Sequence, residues 1–408
     1  MAAYTETSSV SWFDRLGSSL RGIGFGCILI IAGTILLWWN EGNFVATGVA
    51  LREAQAITRE LGDISKLDTT KNGQLVHATG PVETKDILVD PVFGLSLNAI
   101  RLERTVEYFQ WVEHSSTETK KKLGGGQETV TTYTYTQQWV KAPVNSSEFK
   151  DPNAATTKTN TVLANIENFK TQAANVSFGA YRLPDFMISA IGGAVPLQVT
   201  LSEEATANLH KQLALSPHNA QAVPQPSSAM PQLVHVSGNT VMLSASPVAP
   251  QIGDVRVTFM ETRPGTVSII AKLNGDTFEQ FHASNGKTVG MLTMGTHSLE
   301  DMYGAAHAAN TTMTWILRLA GVCLVIFGLW MIAAPLAVLA SVIPFLGSIV
   351  GAGAGLVSIL LGLAWSLLII AIAWLRFRPL IGLGIVGLAV VLIALLYMKG
   401  RSRRTATA

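Results

Sequence analysis

Apolar and polar positions divide this chain into two textures. Residues 22–39, 319–375 and 379–398 contain no charged side chain, whereas residues 40–312 mix apolar and polar positions throughout. About 20 apolar residues are needed to cross a hydrocarbon core of ~30 Å. One span therefore fits 22–39 and one fits 379–398, while the middle run fits two, about 315–334 and 351–375. Pro335 and Pro344 make the connector between those two a poor straight helix. The pattern predicts an α+β membrane protein with four transmembrane helices, one N-terminal and three C-terminal. The first reads as an uncleaved signal anchor. Its apolar run exceeds the 7–15 residues of a signal peptide, and bulky WWNEGN stands where small residues would mark cleavage.

Beyond the first span, Phe44–Leu61 mixes apolar and charged helix formers and predicts a helix leaving the membrane. Strand patterns follow. IRLERTVEYFQWVEH (Ile100–His114) and VTTYTYTQQWV (Val130–Val140) alternate around the polar, Gly-rich SSTETKKKLGGGQE, which predicts a long hairpin with a mobile tip. Ser202–Leu215 reads as a helix with Ser202 as its N-cap, and Ser216–Pro231 as a Pro/Ser/Gln-rich linker. An Asn-Gly-Asp turn at Asn274–Asp276 joins two further strand candidates.

One phrase recurs. QLVHATG at Gln74–Gly80 is repeated as QLVHVSG at Gln232–Gly238, and IRLERTV is answered loosely by VRVTFME at 255–261. This predicts a duplicated β-module, about 68–145 and 230–285. His77 and His235 then hold equivalent positions and do the same packing or hydrogen-bonding job. A metal or catalytic pair is disfavoured, because no further ligand stands at a supporting spacing.

Charge sets the orientation. Lys399, Arg401, Arg403 and Arg404 make the tail 399–408 cytoplasmic, and four spans return residues 1–21, with Arg15 and Arg21, to the same side. Residues 40–312 then face a periplasm or an organelle lumen. Of the 29 basic residues 2 precede this region and 7 follow it, and of the 27 acidic residues 2 precede it, so it carries 20 positive and 25 negative charges, or −5. Nucleic acid is excluded as a partner, since that requires a basic footprint. Only 14% of residues are charged, which argues against an ordinary soluble enzyme. Both cysteines, Cys27 and Cys323, lie in predicted spans, so the outward domain holds itself without disulfides.

Motifs for chemistry are wanting. NGKTVG (Asn285–Gly290) has Phe281 where a phosphate-binding loop needs glycine, and FGLSLN around Ser96 lacks the closing glycine of a nucleophile elbow. No catalytic residue, metal site or cofactor is expected. Sequons at Asn145, Asn175 and Asn310 matter only in a eukaryotic lumen. Glycines are more informative: Gly22 and Gly26, and Gly347, Gly351 and Gly355, recur at the four-residue spacing that lets membrane helices approach. They serve packing within one chain or assembly of a homo-oligomer. The topology also brings Glu41, Arg318, Arg376 and Arg378 to the outward boundary. Glu41 is expected to pair with Arg318 or Arg376, tying the first span to the others; the competing reading is arginines snorkelling to lipid headgroups.

The chain resembles the transmembrane protein 43 (LUMA) family. The resemblance rests on NEG at 40–42, LVHATG at 75–80, DPVFG at 90–94 and VEYFQWVE at 106–113. It continues through YTYTQQW at 133–139, GDVRV at 253–257, NTTMTWILRLAG at 310–321 and AWLRFRPL at 373–380. It implies four spans with a large domain between the first and second. It also implies a scaffold that self-associates, in animals within the endoplasmic reticulum and inner nuclear membrane and in contact with lamins and emerin-type proteins. The family brings no catalytic residues. A Gly/Ala-rich, cysteine-poor composition suits a bacterium, where the inner membrane would be the site and the nuclear partners would not apply.

The reading is a non-enzymatic membrane scaffold that organises lipids, copies of itself or other membrane proteins. The alternative is a membrane-tethered enzyme or accessory subunit at the outward surface. A channel or transporter is disfavoured, because spans two to four carry no intramembrane acid.

Overall fold

A computed structural model describes residues 4–214, 233–380 and 384. Strand β1 (Tyr4–Val10) precedes helix α1 (Trp12–Ile57). Ser11 caps α1 by accepting a hydrogen bond from the Asp14 amide. Near the other end of the chain stand α5 (Leu299–Ala340) and α6 (Pro344–Phe377). A Ser298/Asp301 capping box opens α5, and Pro344 sits in the first turn of α6, where its missing N–H costs nothing. Short helices α2 (Pro152–Thr157), α3 (Asp185–Ile188) and α4 (Glu203–Ala214) lie between. The Ser202 hydroxyl accepts from the Ala205 amide, as the cap reading predicts.

Among the described residues three helices, α1, α5 and α6, are long and apolar enough to cross a membrane. Their flanks are studded with exposed Ile28, Ile31, Ile35, Leu319, Leu360 and Leu367. They contain the first three predicted spans; the fourth, 379–398, falls outside the described residues except at its start. The helices outrun the spans. Phe44–Ile57 continues α1 without a break, and α5 carries Pro335 within it to end only at Ala340. The proline does not stop the helix, because intrahelical bonding resumes around it.

The strands form two sheets. In the larger, β1, β7 (Gln127–Val140), β6 (Arg101–Lys121), β14 (Val255–Thr262), β13 (Thr240–Leu243) and β12 (Val234–Ser237) follow in that order. There β8 (Phe169–Gln172) joins β6, and β11 (Ala194–Pro196) joins β14. In the smaller, β15 (Thr266–Asn274), β16 (Thr277–Glu279), β10 (Tyr181–Arg182), β9 (Val176–Phe178) and β3 (Leu75–Thr84) close on themselves, since β3 pairs back onto β15. Outer strands β2 (Arg59–Glu60) and β19 (Met291–Met294) flank that ring. The pairs β4 (Ile87–Val89) with β5 (Ser96–Asn98) and β17 (Phe281–His282) with β18 (Thr288–Val289) stand apart. Phe93, Leu102, Phe178, Val257, Phe259, Ile269 and Phe278 fill one continuous core. Fully burying each such side chain is worth roughly 1.5–3 kcal/mol.

The DPVFG phrase has a packing reason. Buried Asp90 accepts from the Val92 and Phe93 amides and binds Arg104 Nη1 through both oxygens at 2.6 Å, while Gly94 takes φ +64° to complete the turn. The Asn274–Asp276 turn joins β15 to β16, with Gly275 at φ +62°.

Duplication is not visible in the strand pairing. His77 lies on β3, flanked by β2 and β15; His235 lies on β12, whose partner is β13. The IRLERTV and VRVTFME phrases are antiparallel neighbours, with Arg101 opposite Thr262 and Tyr108 opposite Val255. The expected modules therefore do not occupy equivalent positions.

The β6–β7 hairpin is present in full register, from Tyr108 opposite Val140 to Lys121 opposite Gln127. Its tip is docked, not projecting free. Gly124 donates to the Val342 carbonyl at 3.1 Å, and the Arg15 guanidinium donates to the Gly125 carbonyl. β1 runs antiparallel along β7, from Tyr4 opposite Tyr133 to Val10 opposite Gln127.

Candidate functional site at the membrane boundary

Helices α1 and α5 pack antiparallel at the closeness that small residues permit. A Cβ on Gly26 would lie 2.6 Å from the Gly328 carbonyl oxygen, and one on Gly33 would lie 2.8 Å from that of Gly321. Positions 26, 33 and 40 on α1 thus meet 328, 321 and 314 on α5, seven residues apart on each. Asn40 closes the ladder by donating to the Thr314 carbonyl at 3.1 Å. A seven-residue step keeps one face of a helix toward its partner.

Immediately after Asn40, Glu41 turns into the bundle and is fully buried. Arg318 grips it with a two-pronged bond, Nε to Oε1 at 2.6 Å and Nη2 to Oε2 at 2.8 Å. Trp374 of α6 donates its indole N–H to Oε2 at 2.8 Å. One carboxylate thereby joins three helices. Gly42 completes the motif: a Cβ there would stand 2.9 Å from the Phe377 ring. The NEG, NTTMTWILRLAG and AWLRFRPL phrases converge on this one place.

Aromatic rings wall the cations. The Arg318 guanidinium lies 4.7 Å from the Trp315 ring centre and 5.8 Å from that of Trp374. Arg378 lies 4.4 Å from Phe44 and 5.8 Å from Trp374. Burial lowers the Arg378 pKa from its ordinary value; Glu41 opposes this, while Arg318 and Arg52 add to it. A guanidinium keeps its proton regardless. The site is therefore a desolvated carboxylate bonded to Arg318, with Arg378 in electrostatic reach. Breaking such a buried pair by removing one partner costs about 3–5 kcal/mol.

Of the four predicted residues, the structure joins Glu41 to Arg318 and sets Arg378 beside them. Arg376 is exposed, stacked on Phe377 at 5.8 Å, and does not reach Glu41. Helical geometry explains the difference. Trp374 and Arg378 are four residues apart and share a face, whereas Arg376 points the other way. That spacing is the signal that could have found Trp374, whose contact the sequence reading missed.

The predicted glycines divide. Gly26 makes the tight contact described, Gly22 meets only Met331 at 3.6 Å, and Gly347 abuts Ser341 in the α5–α6 turn. Gly351 faces Ala337 at 3.6 Å, and Gly355 has nothing within 4 Å. Gly33, Gly321 and Gly328 make contacts as close at a seven-residue spacing, which the four-residue pattern does not mark, and Gly362 abuts Ile326.

His77 is buried. Its Nδ1 lies 2.8 Å from Glu60 Oε2, and its Nε2 lies 3.1 Å from the His297 carbonyl just before α5. Both ring nitrogens face oxygen atoms. His235 Nε2 meets the Ser244 carbonyl at 3.1 Å. Among the described residues no group of three His, Cys, Asp or Glu side chains could hold a metal. Beside the arginine cluster an open groove of about 660 Å³ runs between α1 and α6, bordered by Trp38, Trp39, Phe377 and Lys287.

Residues 108–379 match the family model described as Transmembrane protein 43. The human Transmembrane protein 43 is 27% identical over 404 residues, covering 95% of this chain and 92% of its own. That of Rattus norvegicus is 26% identical over 409 residues, covering 96% and 93%. The Transmembrane protein 43 homolog of Drosophila melanogaster is 27% identical over 395 residues, covering 94% and 93%. No solved structure matches the chain.

Proposed function

This chain belongs to the transmembrane protein 43 family, and from that premise we propose that it is a non-enzymatic scaffold, holding a β-rich domain at a fixed height over the membrane. It is an integral membrane protein. The observation that carries the scaffold reading is mechanical continuity. The Glu41–Arg318–Trp374 clamp locks three helices together at the boundary. Beyond it α1 and α5 continue without a hinge into the domain, where Ala50, Leu51, Ala54, Met302 and Tyr303 pack against Leu75 and Ile270. Bundle and domain thus behave as one stiff body, which suits a platform on which other components assemble.

Its partners on this reading are membrane lipids, further copies of the chain and other membrane proteins. The groove by Trp38, Trp39 and Phe377 is shaped for an acyl chain, with Lys287 at its polar end. Both termini are assigned to the cytoplasmic side, with the acidic domain in a periplasm or a lumen. The membrane is the inner membrane of a bacterium, or the endoplasmic reticulum and inner nuclear membrane of a eukaryote.

Native mass spectrometry of protein extracted gently from its own membrane tests the proposal. A defined homo-oligomer, or a stoichiometric protein or lipid partner, is expected. A bare monomer overturns it and redirects the search to a reaction in the outward domain.

A further inference from the structure

The ribbon of β1, β7 and the distal half of β6 lies at a depth that its composition does not suit. From Glu41 at the domain end of the bundle, α1 runs 26 residues down to Arg15, or ~39 Å at 1.5 Å per residue. The ribbon covers the same interval. From Val112 to Lys122 it extends ~33 Å at 3.3 Å per residue. Its tip then lands at the far end, where Trp12 Nε1 donates to the Val338 carbonyl at 2.9 Å and Gly124 meets Val342. The ribbon therefore passes the level of the hydrocarbon core.

Nothing about it suits lipid. β1 reads YTETSSV, distal β6 reads HSSTETKK and proximal β7 reads QETVTTYTYT, polar on both faces. Both edges are open. Among the described residues β1 pairs only with β7, and β6 beyond Val112 pairs only with β7. Hydrocarbon cannot satisfy unpaired N–H and C=O groups, so an open sheet edge is not tolerated against lipid. Such a ribbon must meet water, protein or another strand.

We infer that copies of this chain join through these two edges, the outer edge of β6 in one copy taking β1 of the next. The result is a closed ring of ribbons around a polar, water-filled interior, with the helix bundles outside against lipid. Strand direction allows it. β1 and β6 both run antiparallel to β7, so they run parallel to one another, and rotation about a common axis brings one edge to the other head to tail. A contact of that kind closes as a cyclic ring. Charge allows it too. Lys120 and Lys121 on β6 have no ion-pair partner among the described residues, and Glu6 on β1 meets only the Tyr4 and Tyr133 hydroxyls. Glu6 stands at the level of Thr131 and hence of Thr117, whose face of β6 carries Lys121 four residues on. The two edges thus differ in charge: Glu6 stands on one, and Lys120 and Lys121 with a single acid, Glu118, stand on the other.

The inference rests on the self-association proposed above but demands this particular contact. The test is cysteine cross-linking of the full chain in native membranes, with Cys27→Ala and Cys323→Ala as background. Glu6→Cys is combined in turn with Ser115→Cys, Thr117→Cys or Thr119→Cys, which share the face that Glu6 occupies in the ribbon, and the membranes are oxidised. At least one double variant is expected to give a ladder of covalent oligomers, while each single variant stays monomeric. Co-expressing the two matching single variants should stop the ladder at dimers. Monomers throughout the panel overturn the ring, as do dimers from Glu6→Cys alone, which would show a face-to-face contact. A stoichiometric partner in native mass spectrometry without any ladder removes the ring and leaves the scaffold standing.

Discussion

Glu41 and Arg318, 277 residues apart in the chain, meet in a two-pronged ion pair from which water is shut out, and Trp374 adds a third bond from another helix. This relationship fixes where the first helix sits against the other two. Among the described residues nothing else in the bundle concentrates as much directional bonding on one atom group. Its removal is therefore the most informative perturbation of the membrane region.

Glu41→Ala and Arg318→Ala are each expected to destabilise the protein by about 3–5 kcal/mol, since each strands a buried charge. The double substitution should cost less than the two together. Glu6→Ala and Arg376→Ala, at exposed positions, should stay within ~0.5 kcal/mol. Denaturant unfolding in detergent measures all five; equal losses for Glu41→Ala and Glu6→Ala would show that the clamp carries no weight.

Helix contact makes an opposite pair of forecasts for two glycines. A Cβ on Gly33 would press on the Gly321 carbonyl and on Val325, so Gly33→Ala should lose about 1–3 kcal/mol by overpacking. Gly355 has open space, and Gly355→Ala should gain up to ~1 kcal/mol from helix propensity. Melting temperatures moving in the same direction would contradict the packing described.

Alkaline stability should report on Tyr108. Burial raises the pKa of this phenol, which donates to the Ile166 carbonyl at 2.5 Å. The folded state therefore holds the proton more tightly than the unfolded chain does. The associated stability is fully present below the ordinary value of 10.0 and drains away as pH climbs from there through the raised folded value. Unfolding free energy of the wild type should fall over that range more steeply than that of Tyr108→Phe. Parallel curves would refute the assignment.

Docking of the hairpin tip depends on Gly125, which sits at φ +78° with the Trp12 indole against its Cα. Gly125→Val is expected to release the tip and open Lys120–Lys122 to trypsin, raising the cleavage rate there severalfold while leaving the domain intact. An unchanged digestion pattern would mean that the tip does not need the contact.

Much of this was legible in one dimension. The absence of charge over 22–39 and 319–375 marks the membrane helices, because lipid forbids ionised groups. Alternation over 100–140 marks the hairpin, and a serine before an acidic turn marks α4. Glu41 and Arg318 were picked out as charges where charges are expensive. Arg376 was misjudged because residue counting gives depth and not helix face, and Trp374 was passed over because an indole carries no charge to betray it. The repeated histidine phrase suggests equivalence, yet His77 is flanked by strands on both sides and His235 lies at a sheet edge.

One-dimensional pattern marks which segments leave water, which alternate into strands, and which few charges must find partners near lipid. Those follow from local composition and period, through the solvation of each side chain and the geometry of its own element. Folding in three dimensions is what packs α1 and α5 against the domain, brings three short motifs to one carboxylate, and returns the hairpin tip to the start of α1 with the ribbon edges open. These depend on contacts between residues hundreds of positions apart, where the free energy belongs to the pair and neither member carries it alone.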